Sequence, residues 1–284
     1  MSLDAMAAPV ITAAPRKRRE WVFYLFLGIL AIVVIAAILA PWVSPYDAAA
    51  TDFAAIWQPP SASHLLGTDQ LGRDLLSRII HGARPTLLGS IALLFLATVL
   101  GVLMGVTAAW KRGWVDSFIT RITDVMFAFP GVMFVILVIA VFESGATTAI
   151  IGMAMAYAPA IAKFTRAVAL EEMARPYVDS YRLQGVGGFT LCVRYLLPNM
   201  LPTLVGYLVV LFGEGLMSLA SLNFLGFGSQ PPSSDWGLMV EESRAGVIQG
   251  ILGPAIVPGL AIALVVVATN VVGVRLSDKL AVRK

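Results

Sequence analysis

Residues 175–202, RPYVDSYRLQGVGGFTLCVRYLLPNMLP, form a polar, glycine-broken insertion between hydrophobic stretches long enough to cross a bilayer. Pro176 suits the first turn of a helix, where its missing N–H has no intrahelical partner to lose. Good helix formers then run from Tyr177 to Gln184, and Gly185 stands where a left-handed residue closes a short helix. Gly187 and Gly188 let the chain turn sharply. Helical spacing resumes over 189–197, and Pro198 and Pro202 mark the entry to the next hydrophobic segment. The spacing therefore predicts a short helix, a tight corner and a second short helix. Tyr177, Val178, Tyr181 and Phe189 are expected to be exposed apolar groups, which either dock on another protein or rest on lipid headgroups.

Working outward, 58% of the 284 residues are hydrophobic and 13% are charged, a balance that excludes an ordinary soluble domain. A spanning helix needs roughly 20 mostly apolar residues. Six stretches qualify, at 21–40, 86–110, 122–142, 146–165, 200–222 and 251–274. If the N-terminus is cytoplasmic, Arg73, Arg78, Arg84 and Arg244 are the four basic residues outside, which leaves sixteen of the 20 Lys and Arg inside. That asymmetry fixes both termini in the cytoplasm and accounts for the net charge of +3 without nucleic acid.

The basic cluster Arg16 to Arg19 precedes an apolar run too long for a signal peptide, with Pro41 where cleavage would fall, so the first span is expected to be an uncleaved anchor. The organisation expected is a disordered basic segment at 1–20, the anchor at 21–40, an extracytoplasmic segment at 41–85, and a transmembrane domain at 86–284. Within the extracytoplasmic segment, Leu75, Leu76, Ile79 and Ile80 oppose Arg73, Asp74, Ser77 and Arg78 at helical spacing, which predicts a helix lying on the membrane surface. Residues 223–250 are expected to form a structured loop with one short helix.

Ionisable groups within spans mark function. Glu214, mid-way along the fifth span, is the outstanding one: it meets an amino group in a wet pathway, pairs with a partner subunit, or sits protonated against a hydroxyl. Asp124 and Glu143 are boundary residues, and Asn270 serves an interhelical hydrogen bond. Gly101, Gly105 and Ala109, four apart, permit close helix approach. His64 and His81 have no companions at metal spacing, so no metal site is expected. The single cysteine, Cys192, is a small apolar filler.

The pattern YV(x)5QG(x)10LLPN, from Tyr177 through Gly185 to Leu197, Pro198 and Asn199, resembles the loop of permease subunits of ATP-binding-cassette importers that seats on the ATPase subunits. This chain has Asp179-Ser180-Tyr181 where that family usually has Glu-Ala-Ala. GTDQLGRD at 67–74, DVMFAFP at 124–130, SLNFLGFG at 221–228 and QPPSSDWG at 230–237 resemble the second membrane subunit of the dipeptide, oligopeptide and nickel permeases. The resemblance implies an all-α fold of six transmembrane helices, the type I importer permease fold, with a cytoplasmic coupling loop at 166–199. Tyr177, Val178, Asp179, Tyr181, Arg182, Gly185, Gly187, Gly188, Leu197 and Pro198 would be its coupling residues.

It further implies a transport subunit for a peptide-like solute, not an enzyme, in a bacterial or archaeal inner membrane. Its partners would be a homologous permease, two ATPase subunits or domains carrying ATP and Mg, an extracytoplasmic solute-binding protein and membrane lipid. The chain itself has no phosphate-binding loop and is expected to hold no cofactor. The family often has an acid at the position of Leu219, so Glu214 does not inherit that role. A self-contained ion-coupled transporter is the alternative reading.

Overall fold

A computed structural model describes residues 20–281, with side chains to residue 276. The disordered segment expected at 1–20 lies outside it except for Glu20, as does part of the basic C-terminus. The described residues are mostly helical, apart from an irregular segment at 44–74 that holds one short 3-10 turn: α1 Glu20–Val43, α2 Leu75–Lys111, α3 Gly113–Ala128, α4 Gly131–Phe142, α5 Ala146–Met173, α6 Pro176–Leu183, α7 Gly188–Leu191, α8 Leu197–Phe224, α9 Trp236–Glu242, α10 Arg244–Ile248 and α11 Gly253–Ala281. Five helices, α1, α2, α5, α11 and the run Gly188–Phe224, are long and apolar enough to cross a membrane.

The third expected span is broken: α3 and α4 meet at 91°. Pro130 has no N–H to continue the ladder, and it holds Phe129 extended at φ −95, ψ 131. An apolar run therefore read as one helix is two.

The surface helix expected at 72–81 is not a separate element. Asp74 caps α2, its carboxylate accepting from the Ser77 N–H at 2.8 Å, and the helix then runs 37 residues to Lys111. At about 1.5 Å per residue it spans about 55 Å, well beyond the hydrocarbon thickness. Its expected polar face is buried: Arg73 is 2% exposed and Arg78 1%. The reason is charge pairing across the fold. Arg73 Nε donates to Asp69 at 2.6 Å, Arg78 reaches Asp69 as well, and Arg78 NH1 lies 2.7 Å from Glu242 Oε2. Arg73 NH2 lies 3.0 Å from the same oxygen, in ion-pair contact without hydrogen-bond geometry. Two cations and two carboxylates thus offset one another inside a buried site.

Helix α2 packs most closely on α5. A Cβ at Gly101 would lie 2.6 Å from Ile161 Cβ, and one at Gly105 2.5 Å from the Ala162 carbonyl, so these two glycines set the approach. Ala109 is fully buried in the same seam. Helix α1 buries only Ala37 and Ala40, against α2 and α11. Pro41 cannot donate to the Ala37 carbonyl, and the Arg84 guanidinium of α2 donates to it instead, and to the Ile38 carbonyl at 2.8 Å. Asn270 of α11 abuts Gly213 of α8. The loop at 225–252 carries α9 and α10, two short helices in place of the one expected.

Candidate functional site

The insertion begins where α5 ends. Glu172, 4% exposed, pairs with Arg175 at 3.0 Å and accepts from the Tyr177 hydroxyl at 2.9 Å. That hydroxyl in turn accepts from Asn199 Nδ2 at 3.2 Å. Tyr177, in the first turn of α6, therefore ties the end of α5 to the start of α8. Burial pushes its phenol above the usual tyrosine range, Asn199 opposing and Glu172 reinforcing the shift.

Helix α6 closes as expected at Gly185, which sits at φ +76. The Gly185 N–H donates to the Arg182 carbonyl at 3.0 Å and the Val186 N–H to the Tyr181 carbonyl at 3.1 Å, the paired bonds of a left-handed helix cap. The other two glycines act differently from expectation. Gly187 is extended, at φ −60 and ψ 142, with open space where a Cβ would stand. Gly188 turns nothing; a Cβ there would lie 2.7 Å from the Trp110 ring, so it admits α7 against α2.

Docking groups also redistribute. Val178 is fully buried within the chain, a correction to its expected exposure. Tyr181 is half-buried, stacked on Tyr195 at 4.1 Å and edge-on to Tyr177. Asp179 and Arg182 are exposed and 3.4 Å apart, and Arg182 also faces the Trp110 ring. The most exposed apolar groups of the insertion are Leu183, at 90%, and Phe189, at 82%. Leu183 went unnamed in the sequence reading although it ends α6 beside the cap.

The corner leads into the next span without a second break. Residues Cys192–Leu196 take a π-helical turn between α7 and α8, and Pro198 and Pro202 are carried within α8. Leu197 is half-buried and Pro198 exposed. π turns inside helices are rare and recur at functional sites, and this one lies at the root of the insertion.

On another face, Glu214 is exposed midway along α8. It lines a groove of about 340 Å³ with Tyr157, Tyr207, Ser218, Phe127 and Gly131, the last two flanking the α3–α4 break. The Tyr157 hydroxyl and Ser218 Oγ are 2.9 Å apart. Asp124 pairs with Lys163 at 2.6 Å, and that lysine lies 4.4 Å from the centre of the Phe127 ring.

At the opposite end of the bundle from the insertion, the sequence motifs of 67–74, 221–228 and 230–237 converge. Asp235 caps α9 and accepts from Gly237 N at 2.9 Å, Asn223 Nδ2 at 2.7 Å and Thr86 Oγ1 at 2.9 Å. It thereby joins α9, α8 and α2. His64 contacts Asp74 at 3.0 Å, an acidic neighbour that the sequence spacing had not revealed.

This arrangement of spans and insertion defines a type I importer permease fold. It is shared with two inward-facing crystal forms of the MetNI methionine ABC transporter. One aligns at TM-score 0.61 and 17% identity over 72% of this chain and 97% of that one. The other aligns at TM-score 0.55 and 18% identity, over 71% and 95%.

Residues 97–282 match the family described as the binding-protein-dependent transport system inner membrane component, and the chain belongs to that family. Residues 5–60 match the N-terminal transmembrane domain of oligopeptide transport permease C. Relatives include a putative peptide transport system permease protein of Brucella suis, 35% identical over 98% of this chain and 93% of its own length. Another is the glutathione transport system permease protein GsiD of Escherichia coli O157:H7, 37% identical over 93% of this chain and 88% of its own. The protein is thus a multi-pass membrane permease subunit, not an enzyme, and membership implies ATPase and binding-protein components alongside it. It supports an ATP-driven system and gives no support to a self-contained ion-coupled transporter.

Proposed function

We propose that this chain is one of two homologous membrane subunits of an importer for a peptide or peptide-like solute. In this reading both termini and the insertion lie in the cytoplasm of a bacterial or archaeal cell, and two ATPase subunits, which carry ATP and Mg, seat on α6 and α7. A solute-binding protein delivers its cargo at the opposite face, near the start of α2. The peptide assignment rests on the relatives' names and on the oligopeptide-type N-terminal region.

The observation that carries the coupling role is the pair Leu183 and Phe189, large apolar side chains almost fully exposed on a segment pinned to both neighbouring spans by Tyr177. A groove on an ATPase would remove them from water. ATP binding would draw the ATPases together and move α6, and the π turn would pass that displacement to α8. The bundle then exchanges two arrangements, biased by a ligand bound elsewhere.

Purification of the tagged chain from its native membrane, followed by mass spectrometry, tests this assembly. Recovery of a second permease and ATPase subunits in near-stoichiometric amounts is the expected result. A homo-oligomer alone, confirmed by crosslinking in intact membranes, would overturn it.

A further inference from the structure

Glu214 is a carboxylate on the outward face of an apolar span, in line with Tyr207, Val210, Met217 and Ser221 at helical spacing. A charge facing hydrocarbon is disfavoured, so the face it occupies is wet or covered by protein. Two further features mark this face. The α3–α4 break borders the same groove, and broken backbone at membrane depth is tolerated where it lines a watery cavity or is buried in protein. Besides Glu214, the groove is lined by the rings of Phe127, Tyr157 and Tyr207, and no basic side chain is among its lining residues. The nearby Lys163 is already paired with Asp124.

A carboxylate that shares a groove with aromatic rings attracts an alkylammonium group, by direct charge attraction and by the negative ring faces together. We propose that this groove is a way-station in the permeation pathway for a solute's ammonium group, with Glu214 as its counter-charge and Tyr157 and Tyr207 as its aromatic walls. The inference rests on the permease reading and specifies what the pathway favours: a solute carrying a protonated amine. Selectivity here acts on passage through the membrane, separately from any choice made by a binding protein.

The test uses the whole complex in native membranes. Cys192→Ser removes the one native thiol of this chain, and Ala160→Cys places a thiol among the groove-lining residues. The probes are two methanethiosulfonate reagents, one bearing trimethylammonium and one bearing sulfonate. Labelling is read by mass spectrometry on the peptide containing position 160 and normalised to each reagent's rate with a free thiol.

The cationic reagent is expected to react faster by about tenfold or more. Glu214→Gln should bring the two rates close to equality, and Glu214→Asp should retain the preference. Equal rates with Glu214 present, or a preference that survives Glu214→Gln, would overturn the proposal. Protection from both reagents would also overturn it, because the groove would then be filled by the second permease. A failure of the permease reading appears separately, as absence of the second permease and the ATPases from the same membranes after purification.

Discussion

Tyr177 and Glu172 are joined by a hydrogen bond of 2.9 Å between the phenol and a carboxylate that is almost fully buried. The bond fixes the first turn of α6 to the last turn of α5, and the contact with Asn199 extends it to α8. The insertion is therefore an attached lever and not a free loop. Tyr177→Phe removes one hydroxyl and leaves the ring, so the complex should assemble while transport per ATP hydrolysed falls. The expected stability loss is about 1 kcal/mol, measured by thermal denaturation in detergent. Unchanged coupling would mean that the lever is held elsewhere.

The same phenol sets an alkaline limit. Its value in the folded chain is raised, chiefly by burial. Its contribution is thus fully present below the unfolded tyrosine value of about 10 and is lost as pH rises through the higher folded value. Between about pH 9 and 11 the melting temperature of the wild type should fall more steeply than that of Tyr177→Phe. Parallel curves would remove Tyr177 from the account.

Gly185 and Gly187, two positions apart, should behave oppositely. Gly185→Val forces a side chain into the left-handed region at φ +76, at a cost of roughly 1–2 kcal/mol. It should insert normally yet hydrolyse ATP without transport. Gly187→Ala, extended and open to space, should transport like the wild type. Normal transport by Gly185→Val would misplace the corner.

The charge cluster at the other end offers a larger effect. Glu242→Gln leaves Arg73 and Arg78 sharing one carboxylate in a buried site. Breaking such a pair costs about 3–5 kcal/mol, seen as a lowered melting temperature or poor recovery from membranes. A double-mutant cycle with Arg78→Met should return part of that loss, since the second change removes the stranded charge. Strict additivity would show that the two residues do not interact.

Much of this architecture was legible in the sequence. Apolar length located five continuous crossings, small-residue spacing located the face of α2 that another helix approaches closely, and Pro176 with Gly185 located α6 and its cap. Misreadings arose where tertiary partners overrule local pattern. The polar stripe Arg73, Asp74, Ser77 and Arg78 looked solvated because its partners Asp69 and Glu242 lie outside the helical window, one of them far along the chain. Val178 looked like a docking group, but spacing alone cannot tell which side of a short helix faces the bundle. The bend at Pro130 was missed because hydropathy is blind to direction, although the proline was the available signal. Leu183 was overlooked since exposure of one apolar residue is set by the direction of the capped turn.

In the function proposed above, α6 and α7 form the surface on which an ATPase sits. A photoreactive phenylalanine analogue introduced at Leu183, irradiated in native membranes, tests it most directly, with position Trp42 at the other end of the bundle as control. A crosslinked adduct containing ATPase peptides is expected from position 183 and none from position 42. An ATPase that co-purifies with the chain yet never crosslinks from position 183, or crosslinks there to lipid alone, would contradict it.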